Sequence, residues 1–206
     1  MAWTGTGNQK LNVMSSKDGI HWGQKVTLQE TSPHRPTLTA HNGQLVLSWT
    51  GTDQRHRLNV LFSTDGIHWS SKRTLNDTSI DAPALASYKN RLYIAWTGTN
   101  RGHNLNVMSS GNLGVSWENK RILSDTSIAG PSLRDSNGKL YLAWAGRDRN
   151  HSINTLKSTN GLNWEQKQTY GDSSNHTPEL VEAYGRLAVA WTGRDRQHHL
   201  NIMTLT

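Results

Sequence analysis

The chain has no cysteine. Disulfides, thiolate metal sites and thiol nucleophiles are thereby excluded, while the redox compartment stays open. No stretch approaches the roughly 18 consecutive apolar residues that a membrane-spanning helix needs. Met1 is not followed by a charged and then apolar leader, so a soluble chain without an export signal is expected. Phenylalanine occurs once, and hydrophobic residues make up 33% of the 206. Nine tryptophans stand against that scarcity, and a core of Trp with Val, Leu and Ile on many short strands suits the balance. The net charge is +7. Lys and Arg nevertheless form no run of five and are not interleaved with exposed aromatics in a stacking pattern, so nucleic acid is not the expected partner.

The tryptophans reveal the organisation. One set falls at Trp3, Trp49, Trp96, Trp144 and Trp191, the other at Trp22, Trp69, Trp117 and Trp164. The period is about 47 residues without helical patterning, which points to propeller blades of four antiparallel strands. The stretch Leu45 to Val60 is rewritten as Leu92 to Val107, Leu140 to Thr155 and Leu187 to Ile202, with a truncated copy at Ala2 to Val13. Each copy reads as a strand ending in Trp-Thr-Gly or Trp-Ala-Gly, a polar loop, then a strand opening Leu-Asn or Ile-Asn.

Four strands, a to d, are expected in each period. Strand a follows a proline, as in Pro36 to Ala40. A turn such as His41-Asn-Gly-Gln or Ala183-Tyr-Gly-Arg leads to strand b, which ends near the first Trp; Asn and Gly there tolerate the positive φ of hairpin turns. Strand c runs as Leu58 to Ser63. Strand d begins at the second Trp and passes through Leu28, Leu75, Leu123 and Tyr170. The order b-c-d, three times a-b-c-d, then a-b-c gives 18 strands. The expectation is an all-β, single β-propeller domain over 1–206, with partial blades 1–28 and 171–206 around blades 29–75, 76–123 and 124–170. Either five blades form, two of them incomplete at the termini, or a second subunit closes the ring as a homo-oligomer.

The c–d connection Ser110-Gly-Asn-Leu-Gly-Val-Ser-Trp117 resembles the Asp-box, Ser-x-Asp-x-Gly-x-x-Trp, of sialidase-like propellers, with Asn112 in place of the Asp. Ser16 to Trp22, Ser63 to Trp69 and Ser158 to Trp164 are one residue shorter between acid and Gly. In that family the box links the third and fourth strands of a blade, the place it occupies here. The resemblance implies fold, and a structural turn rather than a site.

Strand direction puts the b–c loops and the d–a links on one rim. The loops supply Asp53 and His56, Asn100 and His103, Asp148 and His151, and Asp195 and His198. The following strand adds Asn59, Asn106, Asn154 or Asn201, and the links bring Glu30, Asp77, Asp125 and Asp172, each before a Thr-Ser or Ser-Ser pair. With Trp49, Trp96, Trp144 and Trp191 nearby, every blade offers planar polar groups and an apolar ring, the pairing a sugar needs. Glycans or glycoconjugates are therefore the expected partners, held multivalently on near-equivalent sites. These residues also have plain roles open to them in capping turns and strand starts. The histidines discriminate best, because a turn does not demand histidine. The first copy has Lys10 where the His stands and should be the weaker. Arg147, Arg149, Arg194 and Arg196 favour anionic sugars or are exposed charge.

Nearly every polar feature repeats, whereas catalysis requires different groups converging once. The Arg-Ile-Pro element of sialidases is absent, and no unique carboxylate pair stands out. One His and one acid per loop is thin for zinc. The sequence is thus read as a lectin, not an enzyme, with no metal and no cofactor; a protein-interaction propeller is the alternative, and a sialidase-like hydrolase stands behind both.

Overall fold

A computed structural model describes residues 1–183 and 185–205. The a–b turn of the last repeat includes Tyr184, which lies outside the described residues, as does Thr206. Eighteen strands and no helix are present among those described. They form five antiparallel sheets, the blades of a five-bladed β-propeller. The first blade holds β1 (Ala2–Thr4), β2 (Lys10–Ser15) and β3 (Gly23–Thr31). The second holds β4 (Thr37–His41), β5 (Gln44–Thr50), β6 (Arg57–Ser63) and β7 (Ser70–Thr78). In the third are β8 (Ala84–Tyr88), β9 (Arg91–Thr97), β10 (Asn104–Ser110) and β11 (Glu118–Thr126). The fourth contains β12 (Ser132–Ser136), β13 (Lys139–Ala145), β14 (Ser152–Ser158) and β15 (Glu165–Ser173). The fifth has β16 (Glu179–Ala183), β17 (Arg186–Thr192) and β18 (Leu200–Thr204).

Local chemistry sets the hairpins. Asn42 and Gly43, Lys89 and Asn90, and Asn137 and Gly138 all have positive φ at both turn positions, the geometry that matches the twist of two-residue hairpins. Strand d starts one residue after the second Trp and runs for nine residues. The segments at Glu30, Asp77 and Asp125 are therefore the ends of outer strands, not free loop as the sequence pattern implies. Ladder pairing carries them that far: Thr31 pairs with Lys10, Thr78 with Arg57 and Thr126 with Asn104. Each c–d pair absorbs irregular register, with Gln24, Ser71, Asn119 and Gln166 in the left-handed region near the start of strand d.

The core lies between blades. Four clusters of buried residues fill successive junctions, and each includes the strand-b tryptophan of the later blade: Trp49, Trp96, Trp144 and Trp191. The first three are about 1% exposed. One indole per junction explains how a chain with a single Phe packs five sheets; burying such a ring contributes about 3–5 kcal/mol, judged by truncation.

Candidate functional site: the rim and its blade junctions

The b–c loop is a compact device built around its acid or amide. Asp53 Oδ1 accepts from Arg55 N at 3.0 Å and its Oδ2 from Arg57 N at 3.2 Å. Asp148 accepts from the backbone N–H of Asn150 and Ser152, and Asp195 from those of Gln197 and His199. Asn100 takes the same part through Asn104 N. At the opening of strand c, the Asn59 amide donates to Arg57 O at 2.9 Å, and Asn106, Asn154 and Asn201 repeat that bond. The Gly of Trp-x-Gly is enforced by this crowding: a Cβ on Gly146 would lie 2.5 Å from Asp148 Oδ2 and 3.0 Å from Asn154 Nδ2. Burial pushes the Asp53 carboxyl up, but the N–H groups of Arg55 and Arg57 and the Arg57 guanidinium outweigh it and hold it below the usual carboxylate range. Asp148 and Asp195 are lowered on balance by equivalent bonds.

The histidines have a backbone reason to be there. His56, His103, His151 and His198 have φ between 51° and 55°, the left-handed region in which Asn, Asp and His are enriched among non-glycine residues. The carbonyls of His56, His103 and His151 accept from Ser79, Ser127 and Ser174 in the d–a links. In the first copy Gln9 fills this place, with φ 56° and its carbonyl bonded to Ser32 N. The assignment of Lys10 to the histidine position is thus corrected by one residue. The imidazoles of His56 and His198 are exposed. His151 Nδ1 lies 2.8 Å from Asn175 Oδ1. Burial, then the nearby Arg147 charge, lowers the His103 pKa.

Beside the loops, three of the four junctions each bring together three residues from two blades. Lys72 of β7 ion-pairs with Glu30 of β3, Lys120 of β11 with Asp77 of β7, and Lys167 of β15 with Asp125 of β11. The same ammonium groups sit over the strand-b rings: Lys72 is 5.7 Å from the Trp49 centroid, Lys120 is 5.4 Å from Trp96, and Lys167 is 5.6 Å from Trp144. This is cation–π distance. The lysines therefore roof the rings, and a ligand meets ammonium, carboxylate and hydroxyl before it meets indole. Clefts of about 290 and 420 Å³ open at the Trp96 and Trp144 junctions. Thr78 and Thr99 hydroxyls are 2.6 Å apart at the first of these, and Thr31 and Thr52 repeat the contact one junction earlier at 2.7 Å. Trp191 has Asp172 near by in sequence, but the fifth blade has no outer strand among the described residues to supply a lysine. Arg147 and Arg194 donate to the carbonyls of Arg101 and Asn150 in the preceding loops, at 2.9 and 2.6 Å. Arg149 and Arg196 lie exposed on the rim.

A second polar group escapes the repeat. Where each d–a link turns into the inner strand, the residue types diverge. His34 Nδ1 is 3.1 Å from Asp81 Oδ1, Arg35 ion-pairs with Glu179, and Asp81 Oδ2 accepts from Gly130 N at 2.8 Å. The links thus meet through the side chains of His34, Arg35, Asp81 and Glu179 and the backbone of Gly130; Arg35, Asp81 and Glu179 have no like residue at the matching positions, whereas His176 repeats the histidine of the first link. Burial raises Asp81, but His34 and the N–H groups of Gly130 and Ala82 outweigh it and keep its carboxyl low. Burial raises Glu179 above the carboxylate norm against the pull of Arg35. A reading guided by repetition passes over these positions; the signal was the very loss of repetition before each inner strand.

No protein-family model matches the chain, and no curated protein does. Solved structures share its fold. A protein of unknown function from Dyadobacter fermentans superposes with a TM-score of 0.75 at 14% identity, over 98% of this chain and 70% of that one. A mutant of the NanB sialidase from Streptococcus pneumoniae gives 0.70 at 14% identity over 95% of this chain, which spans 35% of that longer protein. The Aleuria aurantia lectin, in complex with alpha-methyl-L-fucoside, gives 0.68 at 11% identity over 98% of this chain and 68% of the lectin. Other matches are named as GH43 and GH32 enzymes, an endo-arabinanase and a β-fructofuranosidase among them.

The expectation that the chain is not an enzyme is overturned by these matches, most of which are glycosidases by name. Its premise also fails physically. Repetition around the rim says nothing about the mouth of the inner strands, where unlike residues do converge.

Proposed function

We propose that this protein, as a single propeller domain over 1–206, binds carbohydrate at repeated pockets on the b–c rim. The observation that carries the reading is the acid–lysine–tryptophan junction built three times, at Glu30–Lys72–Trp49, Asp77–Lys120–Trp96 and Asp125–Lys167–Trp144. Each offers a donor and an acceptor, and at the Trp96 and Trp144 junctions these share one cleft with threonine hydroxyls, the complement of vicinal sugar hydroxyls. Asn100 and Asn106 line the Trp96 cleft and Asp148 and Asn154 the Trp144 cleft; in this reading Asp53, Asn59, Asp195, Asn201 and the four histidines extend the contact surface along the rim. The saccharide named in the Aleuria lectin structure and the glycosidases among the matches favour this ligand class. Three near-equivalent sites on a rigid ring gain effective concentration against a branched glycan.

Probing a glycan array with the whole chain, then repeating with Lys120→Met and His103→Ala, tests this. Selective binding weakened by the first substitution supports it. Silence across the array, or binding indifferent to both, removes it.

The c–d turns support an Asp-box type assignment without a ligand role: Ser63 Oγ accepts from Gly66 N, Asp65 Oδ1 accepts from Ile67 N and His68 N, and Trp69 Nε1 donates to Gly66 O. We also propose a homo-oligomer. Leu200 and Ile202 are 82% and 67% exposed on β18, and a second copy pairing there would cover them; a monomeric solution mass removes it. The axial group favours one further reading, glycoside hydrolysis, with Asp81 and Glu179 as its carboxyl groups. Turnover of arylglycosides that disappears in both Asp81→Asn and Glu179→Gln would support it, and absence of turnover would end it.

A further inference from the structure

On the opposite face, three departures from the repeat coincide. The only Phe of the chain, Phe62, stands on β6 where the other blades have Ser15, Ser109, Lys157 and Thr204. The c–d turn that packs on it is the one with an extra residue, and Gly114 of that turn approaches so closely that a Cβ would lie 2.8 Å from the Phe62 ring. Leu113 in the same turn has φ 56°, a left-handed conformation that costs a bulky L-residue about 1–2 kcal/mol. Strain of this kind clusters at functional sites. Beside them stands Arg73, at a position held by Val26, Arg121 and Gln168 in the first, third and fourth blades.

These residues line a cleft of about 320 Å³ between the second and third blades, within the roughly 300–1,000 Å³ usual for small-ligand sites. Phe62, Leu113 and Val115, the last 59% exposed, form an apolar wall. Arg73 lines the same space; it makes no hydrogen bond or ion pair among the described residues, and its Nε is buried without a partner. The acid of the adjoining turn, Asp65, is already engaged: its Oδ2 lies 2.6 Å from His68 Nδ1. A half-buried guanidinium left without an anion costs stability and recovers it on meeting a carboxylate, which it can hold through two parallel bonds.

We propose that this cleft is a second binding site, independent of the rim pockets, for a small carboxylate with a branched hydrocarbon body. The carboxylate lies on Arg73 and the hydrocarbon on Leu113, Val115 and Phe62. Titration of the full chain with 4-methylpentanoate, followed by amide nuclear magnetic resonance, tests it, with 4-methylpentanamide as the uncharged control. Saturable shifts are expected at Ser70, Ser71, Arg73 and the 113–116 turn. The amide should bind about tenfold more weakly or worse, as should Arg73→Gln, given the strength of charge-assisted bonds. Val115→Asp, a change at an exposed side chain that leaves the core intact, should abolish binding by repulsion and serves if the arginine variant does not fold. Shifts scattered over the basic surface, equal binding of acid and amide, or binding unchanged in both variants would overturn the site.

Discussion

The internal junctions and the two ends of this chain are written in one sequence pattern, yet they differ in what they assemble. At Trp49, Trp96 and Trp144 the indole is sealed, a lysine from the same blade caps it, and an acid from the preceding blade holds the lysine. At Trp3 the lysine, Lys25, is present, 5.5 Å from the ring, but it has no acid partner among the described residues and the ring is only half-buried. At Trp191 the acid precedes it in sequence and the lysine is missing among the described residues. A pocket is thus a property of two neighbouring outer strands and the strand-b ring between them. No single repeat contains one.

The largest test of that difference removes the ring. Trp96→Ala should lose about 3–5 kcal/mol in chemical denaturation, the cost of a large buried truncation, and Trp3→Ala well under half of that. Equal losses would mean that the junction contributes nothing special. Next, Gly146→Ala forces a Cβ against Asp148 and Asn154 and should cost about 1–3 kcal/mol by overpacking, whereas Gly5→Ala, whose nearest contact is 3.2 Å, should be milder. If Gly5→Ala proves the worse, the crowded loop is not what selects glycine.

The acid limb should carry a smaller effect. Asp81 is held below its ordinary value in the folded state, so its contribution is fully present above the unfolded carboxylate pKa of about 3.9 and is lost as pH falls through the lower folded value. Asp81→Asn should flatten the fall in stability below about pH 4, and an unchanged profile would show that His34 and Gly130 do not hold this carboxylate. Smallest of all, Lys120→Met should cost about 0.2–1 kcal/mol, since the pair is partly exposed, and Lys25→Met still less. Melting curves of the two variants decide this, and a reversed order would separate the acid from the lysine it is said to hold.

Much of this architecture could be read before any coordinates. The spacing of nine tryptophans set the blades, and the Asn-Gly turns set the hairpins, because both depend on local chemistry repeated in sequence. The junction partners could not be read so: Lys72 and Glu30 lie 42 positions apart and meet only because blades stack. The nine-residue length of strand d was equally hidden, since its wet, charged end looks like loop until β2, β6 and β10 are seen to pair with it. Histidine looked like chemistry at the b–c loop, but the left-handed backbone at His56 gives the position a conformational reason of its own. Asp81 and Glu179 were missed for the opposite cause: they do not repeat.

The most direct measurement is the stoichiometry of a monovalent sugar selected on the array, titrated calorimetrically into the whole chain. The three complete junctions predict three ligands per chain, falling to two in Lys120→Met. One ligand per chain, displaced by Glu179→Gln and indifferent to Lys120, would contradict the account and move the function to the axis.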